Sequence, residues 1–194
     1  RRALRKELNL EPKSPIVLFA GKLQKRKNPD LLISAFIELD HQKLNHPYLI
    51  FVGDGAMRSK LETMNKFKDG KIKFMGFKNQ SDIPAFYDLA DVFVLPSERE
   101  PWGLAINEAM NCSTVVIASD QCGAAADILD EKCGYVIPLQ KKEALVSALT
   151  CCLSDPSANA RLGEEARKKI ANWGLPESVT GLKDAIKFLV PSQA

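Results

Sequence analysis

Asp91-Val-Phe-Val-Leu-Pro-Ser-Glu-Arg-Glu-Pro-Trp-Gly-Leu-Ala-Ile-Asn-Glu-Ala-Met110 decides the fold, because an apolar strand passes through an acidic loop straight into a helix. Val92–Leu95 is β-branched and aromatic and lies between Asp91 and Pro96, which fits a strand buried on both faces. From Gly103 onward, residues 103–110 take up helical spacing. Residues 97–102 therefore form a loop at the carboxyl end of a strand, where open parallel sheets bind their ligands.

Working toward the amino terminus, residues 71–75 read as a strand that ends at Gly76-Phe77. Ser81 reads as the N-cap of a helix over 82–90, with Ile83, Phe86, Tyr87 and Leu89 turned inward. Tyr48–Val52 is another strand, closed by Gly53-Asp-Gly55 and followed by an amphipathic helix over 56–67 through Met57, Leu61 and Met64. Pro15 opens the strand Ile16–Ala20, which leads into Gly21 and a basic loop. Asn28 then reads as an N-cap with Pro29 at the first helical position, and Leu31, Leu32, Ala35, Phe36 and Leu39 form one apolar face. Residues 1–8 form a short basic helix, ended by a linker with Pro12.

Toward the carboxyl terminus, residues 114–118 are a strand rich in β-branched residues, followed by the loop Ser119-Asp-Gln-Cys-Gly123. Residues 134–138 are a short edge strand. Three helices over 142–153, 158–172 and 176–189 finish the chain, with Pro156 and Gly174 at the joins. Six strands alternating with helices predict an α/β protein: a doubly wound, mostly parallel six-stranded sheet with helices on both faces.

A chain of 194 residues with 45% hydrophobic and 26% charged residues builds one globular core, and no segment approaches the length needed to cross a membrane. The net charge of +3 is slight and the basic residues sit in local patches, at 1–6 and 22–27. That favours a small anionic ligand and excludes a nucleic-acid track. Five cysteines, odd in number and without C-x-x-C spacing, give neither a disulfide framework nor a zinc site, and point to a reducing cytoplasm. His41 and His46 read as solvated.

Glu100 and Glu108 are eight positions apart; were the segment between them mostly helical, they would lie about 12 Å apart along its axis. A carboxylate accepts from two adjacent hydroxyls at once, and a nucleotide-sugar carries such diols at both ends, on the hexose and on the ribose. Backbone N–H groups around Gly103, Leu104 and Ala105 would face the diphosphate between them, helped by the helix dipole, with Gly103 allowing close approach. The plainer reading makes Glu100 a first-turn acid and Glu108 a solvated helix residue. Likewise the loop Gly21-Lys-Leu-Gln-Lys-Arg-Lys27 either meets a phosphate or, at Lys25 and Arg26, is a solvated turn.

Glu-Pro-Trp-Gly-Leu-Ala-Ile-Asn-Glu-Ala-Met, behind Asp-Val-Phe-Val-Leu-Pro-Ser, closely resembles the E-x7-E signature of retaining glycosyltransferases of family 4, roughly E-P-F-G-L-x-x-x-E-A-M. The resemblance covers about residues 16–173. It implies the carboxyl-terminal, Rossmann-like half of the two-domain GT-B fold, with residues 15–174 as donor-binding domain. Residues 1–14 would link it to an amino-terminal acceptor domain, and 175–194 would form a C-terminal helix. By the same resemblance, Lys22 and Lys27 fall on the basic positions of G-R-L-x-x-x-K that contact the diphosphate, Lys22 keeping the charge of the usual arginine without its fork. Gly21 belongs to the same segment. Phe77 and Lys78 would lie beside the base, the competing reading of Phe77 being a packing residue. Of the family's G-G-x-x-E loop only Gly123 is kept; Ala124 replaces the second glycine and Asp127 the glutamate.

The resemblance further implies transfer of a sugar from a nucleotide diphosphate donor to an acceptor hydroxyl, with retention and with no metal or other cofactor. Glu100 would orient the hexose and Glu108 the ribose, while Lys22 and Lys27 stabilise the leaving diphosphate. The family's histidine comes from the amino-terminal half, so this chain alone is expected to bind donor with little turnover. A GT-B epimerase or phosphorylase, or a non-catalytic nucleotide-binding module, is the alternative.

Overall fold

The computed structural model of the protein describes residues 1–65 and 70–189. The last positions of the helix expected over 56–67 and residues 190–194 lie outside this range.

Six strands form one sheet, in the order β3-β2-β1-β4-β5-β6, and every pairing is parallel. They are β1 (Ile16–Ala20), β2 (Tyr48–Val52), β3 (Ile72–Phe74), β4 (Val92–Leu95), β5 (Val115–Ser119) and β6 (Gly134–Ile137). The helices between them are α1 (Arg2–Glu7), α2 (Pro29–Ile37), α3 (Arg58–Met64), α4 (Ile83–Leu89), α5 (Leu104–Asn111), α6 (Gly123–Ile128), α7 (Lys142–Ser154), α8 (Pro156–Ile170) and α9 (Leu175–Leu189). Alternation along the strands explains the two layers of helices. In β1, Ile16, Leu18 and Ala20 pack under Phe86, Tyr87, Ile106 and Ala166, whereas Val17 and Phe19 face Leu32, Phe36, Leu61 and Leu149. The sheet is thus covered on both faces, as its apolar strands require.

Strand order reverses between β1 and β4, so the chain leaves these two neighbours in opposite directions and opens a crevice at their carboxyl ends. The loops that follow them are the basic segment 21–28 and the acidic segment 96–103.

Local details correct several expectations. Asn28 precedes α2 but adopts the left-handed conformation (φ 47°, ψ 44°), and its side chain makes no capping bond; it donates to the Pro96 carbonyl instead. Ser81 caps nothing, since its hydroxyl meets the Asp82 carboxylate and α4 begins at Ile83. The helix expected from residue 158 starts at Pro156, because the Asp155 carboxylate accepts from the Ser157 and Ala158 amides and proline needs no amide acceptor. Those two backbone bonds also hold the Asp155 carboxyl below its ordinary range. The loop after β5 contains a helix, α6, that the apolar periodicity did not announce. His41 is not solvated: its ring stands edge-on to Phe36 and its Nε2 meets the Phe36 carbonyl at 2.9 Å. The five cysteines are free thiols. Among the described residues no helix is long and apolar enough to cross a membrane.

Candidate functional site

At the crevice, a cleft of about 470 Å³ is lined by Gly21, Lys22 and Lys27 from the loop after β1, Gly53 and Asp54 after β2, and Phe77 and Lys78 after β3. Ile83 and Tyr87 of α4 and Ala105 and Glu108 of α5 close it. Phe77 is 76% exposed, so it is a rim aromatic and not a packing residue. A second cavity, of about 520 Å³, opens at the amino ends of the strands. Its central charges are already engaged, Arg5 against Asp91 and the Asn159 amide on the Asp91 carbonyl. The cleft at the carboxyl ends is the one with open chemistry.

Glu100 does not itself line this cleft and is joined to it through Lys27. The two form an ion pair at 2.9 Å, and each side chain is only 14% exposed. Glu100 does not ride on α5; the helix starts at Leu104, and the glutamate sits in an extended loop whose backbone bridges Cys122. Its position is therefore set by neighbouring loops and not by helical rise. Glu100 N donates to the Gln121 carbonyl at 3.1 Å, and the Glu100 carbonyl accepts from Gly123 at 3.0 Å.

Gly103 precedes α5 with φ 99°, a left-handed conformation that suits glycine, and turns the loop into the helix. Helix geometry leaves the first amides of α5 without intrahelical acceptors, beside the cleft wall at Ala105. Leu104 is 67% exposed and points away from the packed core. Gly123 lies behind the acidic loop, where its amide serves Glu100, and does not line the cleft.

Glu108 is one turn into α5 and accepts from the Tyr87 hydroxyl at 2.9 Å. Burial, reinforced by the Glu108 charge, pushes the Tyr87 hydroxyl up from its ordinary pKa, so it remains a donor at any working pH. Tyr87 was legible in the sequence only as an inward-facing aromatic. Its helical phase hid a polar tip that reaches the second glutamate. Arg26 was likewise legible only as a turn residue, yet its Nη1 donates to the Arg99 carbonyl at 2.8 Å. Nearby, burial raises the Cys122 thiol, which keeps it neutral and unreactive.

Residues 1–169 match the family Glycosyl transferases group 1. The chain belongs to that family. Among its relatives, the D-inositol 3-phosphate glycosyltransferase of Jonesia denitrificans is 29% identical over 195 residues, covering 94% of this chain and 45% of the relative. The chain spans about half the length of the curated relatives it matches. Among solved structures, sucrose-phosphate synthase from Thermosynechococcus elongatus superposes with a TM-score of 0.79 at 28% identity, over 97% of this chain and 49% of that one. HepE from Anabaena in complex with UDP-glucose shares the fold, with a TM-score of 0.79 at 22% identity, over 96% of this chain and 51% of that one. The sheet is thus Rossmann-like, and its structural neighbours are glycosyltransferases of the GT-B fold.

Tyr87→Phe removes one hydrogen bond to Glu108 and no packing. Glu108 is exposed, so water replaces part of that bond and the net loss is about 1 kcal/mol. Binding of a ligand held by Glu108 should weaken about fivefold while the melting temperature falls by only about 2–4 °C. Unchanged affinity by titration would show that Glu108 needs no such anchor.

Proposed function

We propose that this chain is the donor-binding half of a retaining, metal-independent glycosyltransferase of the family 4 type. It would hold a nucleotide diphosphate sugar whose hexose passes to an acceptor hydroxyl. One observation carries the reading: Lys27, paired with Glu100, shares a single cleft with Lys22, Ala105 and Glu108. A diphosphate lying between the lysines and the first amides of α5 has a sugar on either side, and each sugar then has its own carboxylate. Glu100 orients the hexose through its hydroxyls, and Glu108, held by Tyr87, takes the ribose. Gly21 and Gly103 let backbone come close to the ligand, Leu104 and Ala105 offer amides to the diphosphate, and Gly123 supports the acidic loop from behind. Phe77 and Lys78 meet the base at the rim. In HepE the complex contains UDP-glucose, which supports this class of ligand.

The bond between the anomeric carbon and the phosphate oxygen breaks with its electron pair on the diphosphate. An acceptor hydroxyl oxygen bonds to the anomeric carbon in its place, and the hydroxyl proton passes to the departing diphosphate oxygen. Lys22, Lys27 and the positive end of α5 supply the charge that the departing diphosphate needs, the task a metal performs in other transferases. The acceptor and a catalytic histidine would come from a further domain. The 194-residue chain then binds donor and transfers at a negligible rate.

Calorimetric titration of UDP, GDP and ADP, each with and without a hexose, tests the reading. One nucleotide family should bind, its sugar form about tenfold tighter. Glu100→Ala should abolish the sugar preference, and Glu108→Ala should weaken both forms alike. Binding without preference for a sugar-bearing form would turn the site into a plain nucleotide site.

A further inference from the structure

We infer that Asn28 and Arg26 are positioning residues that aim the acidic loop, so that Glu100 meets the sugar in a fixed place. The inference rests on the donor-site reading above. The loop 96–103 hangs between two neighbours that hold it by different means. Its second half is tied to the turn before α6 through backbone alone: Glu100 N to Gln121 O, Gly123 N to Glu100 O, and Ala124 N to Trp102 O at 2.9 Å. Its first half is held by the basic loop on one side and, on the other, by the buried Ser119 hydroxyl, which donates to Ser97 O at 2.5 Å. Asn28 Nδ2 donates to Pro96 O at 3.0 Å and Arg26 Nη1 to Arg99 O at 2.8 Å, flanking a backbone bond from Glu98 N to Arg26 O at 2.7 Å.

Each residue is suited to that task. Asn28 occupies the left-handed region, which asparagine and glycine tolerate best, and of the two only asparagine also brings an amide donor. The far side of the Arg26 guanidinium faces Gln24, whose amide, turned so that its oxygen meets the guanidinium, accepts from Nε at 2.8 Å and Nη2 at 3.1 Å. One planar fork spans the two loops, a geometry a lysine ammonium does not reproduce. Lys27 lies between these two residues in sequence, so the same bonds that hold the acidic loop also set the ammonium against Glu100. The ribose end is independent of them, since Glu108 and Tyr87 stand on α5 and α4. Loosening the bolts should therefore cost the hexose its contact, whereas any change at Lys27 reaches the diphosphate of nucleotide and nucleotide-sugar alike.

Asn28→Gly isolates the side chain, because glycine keeps the left-handed backbone and removes the amide; Arg26→Lys keeps the charge and removes the fork. UDP with UDP-glucose, and GDP with GDP-mannose, serve as probe pairs for the 194-residue protein. Loss of one hydrogen bond corresponds to about a fivefold fall in sugar preference for each variant, more for the double variant; a change at Lys27 weakens both members of a probe pair equally and cancels in that ratio. The protein has two tryptophans, Trp102 in the acidic loop and Trp173, with ring centroids 5.8 Å apart. Their emission should shift in the ligand-free variants. A wild type that prefers sugar-bearing forms, with variants that keep the full preference, would overturn the positioning role and leave the donor site standing. Variants that lose nucleotide and sugar alike, with a lowered melting temperature, would make these residues fold supports and overturn it too. A wild type that binds neither probe pair would remove the donor reading, and this inference with it.

Discussion

Lys27→Ala should lower the melting temperature by about 5–10 °C, more than the Lys27→Ala/Glu100→Ala double variant does. Both side chains of the pair are 14% exposed, and Glu100 Oε2 is buried with the Lys27 ammonium as its compensation among the described residues. Removing the lysine leaves a carboxylate with little water and no counter-charge. Breaking a fully buried pair costs about 3–5 kcal/mol, and the residual solvent access here brings that to about 2–3 kcal/mol. For a domain of this size each kcal/mol shifts the midpoint by about 2–4 °C. Removing both partners removes the stranded charge, so the double variant should recover most of the loss. Scanning calorimetry on wild type, both single variants and the double variant measures the coupling directly. Equal midpoints for Lys27→Ala and the double variant would show that water already screens the carboxylate. The result also bears on ligand binding, because the ammonium that quiets Glu100 in the empty cleft is the one proposed to meet the diphosphate.

Strands were the legible part of the fold, for a physical reason. Strands such as Ile16–Ala20, Tyr48–Val52 and Val92–Leu95 are buried on both faces, so each is a continuous apolar run with polar, Gly or Pro punctuation on both sides. Helix starts were less legible, since a cap is a side-chain choice among competing bonds. Asn28 has the right residue type for a cap yet spends its amide on Pro96, across the sheet's switch point. Asp155 does cap, but the expected start at residue 158 left Asp155 and Pro156 outside the helix. The site shows the same division. Lys22, Lys27, Phe77, Lys78, Ala105 and Glu108 meet in one cleft because strand ends converge there, which topology alone dictates. Glu100 was placed by helical spacing, whereas loop-to-loop bonds place it, and spacing carries no record of those. Tyr87 and Arg26 were missed for the same reason: their partners are distant in sequence, at Glu108 and Arg99.

Gly123→Ala should displace the acidic loop with a single methyl group. The first residue of α6 has no unusual backbone requirement, so the objection to alanine is space alone. A Cβ there would stand 2.2 Å from the Pro101 carbonyl oxygen, 3.2 Å from its carbon and 3.4 Å from Trp102 Cα. All three are backbone atoms, so no side chain can swing aside. Either α6 or the acidic loop has to retreat by close to an ångström. Ala124, Ala125 and Ile128 of α6 are fully buried, which leaves the loop to move. That movement pulls against the bonds from Gly123 N to Glu100 O and Ala124 N to Trp102 O. Overpacking of this kind costs about 1–3 kcal/mol, and a midpoint lower by about 4–10 °C follows. The functional effect should be sharper: sugar preference vanishes because Glu100 is carried out of place, while nucleotide binding through Glu108 persists in a titration run well below the midpoint. A wild-type midpoint with intact sugar preference would mean that the loop yields without moving its glutamate. The neighbouring departure from the family pattern has the same explanation. Ala124 is accommodated in the core with its methyl fully buried, whereas the Cβ direction at position 123 ends on the carbonyl of Pro101. Of the two glycines in the pattern, the one retained is the one whose side-chain space the acidic loop occupies.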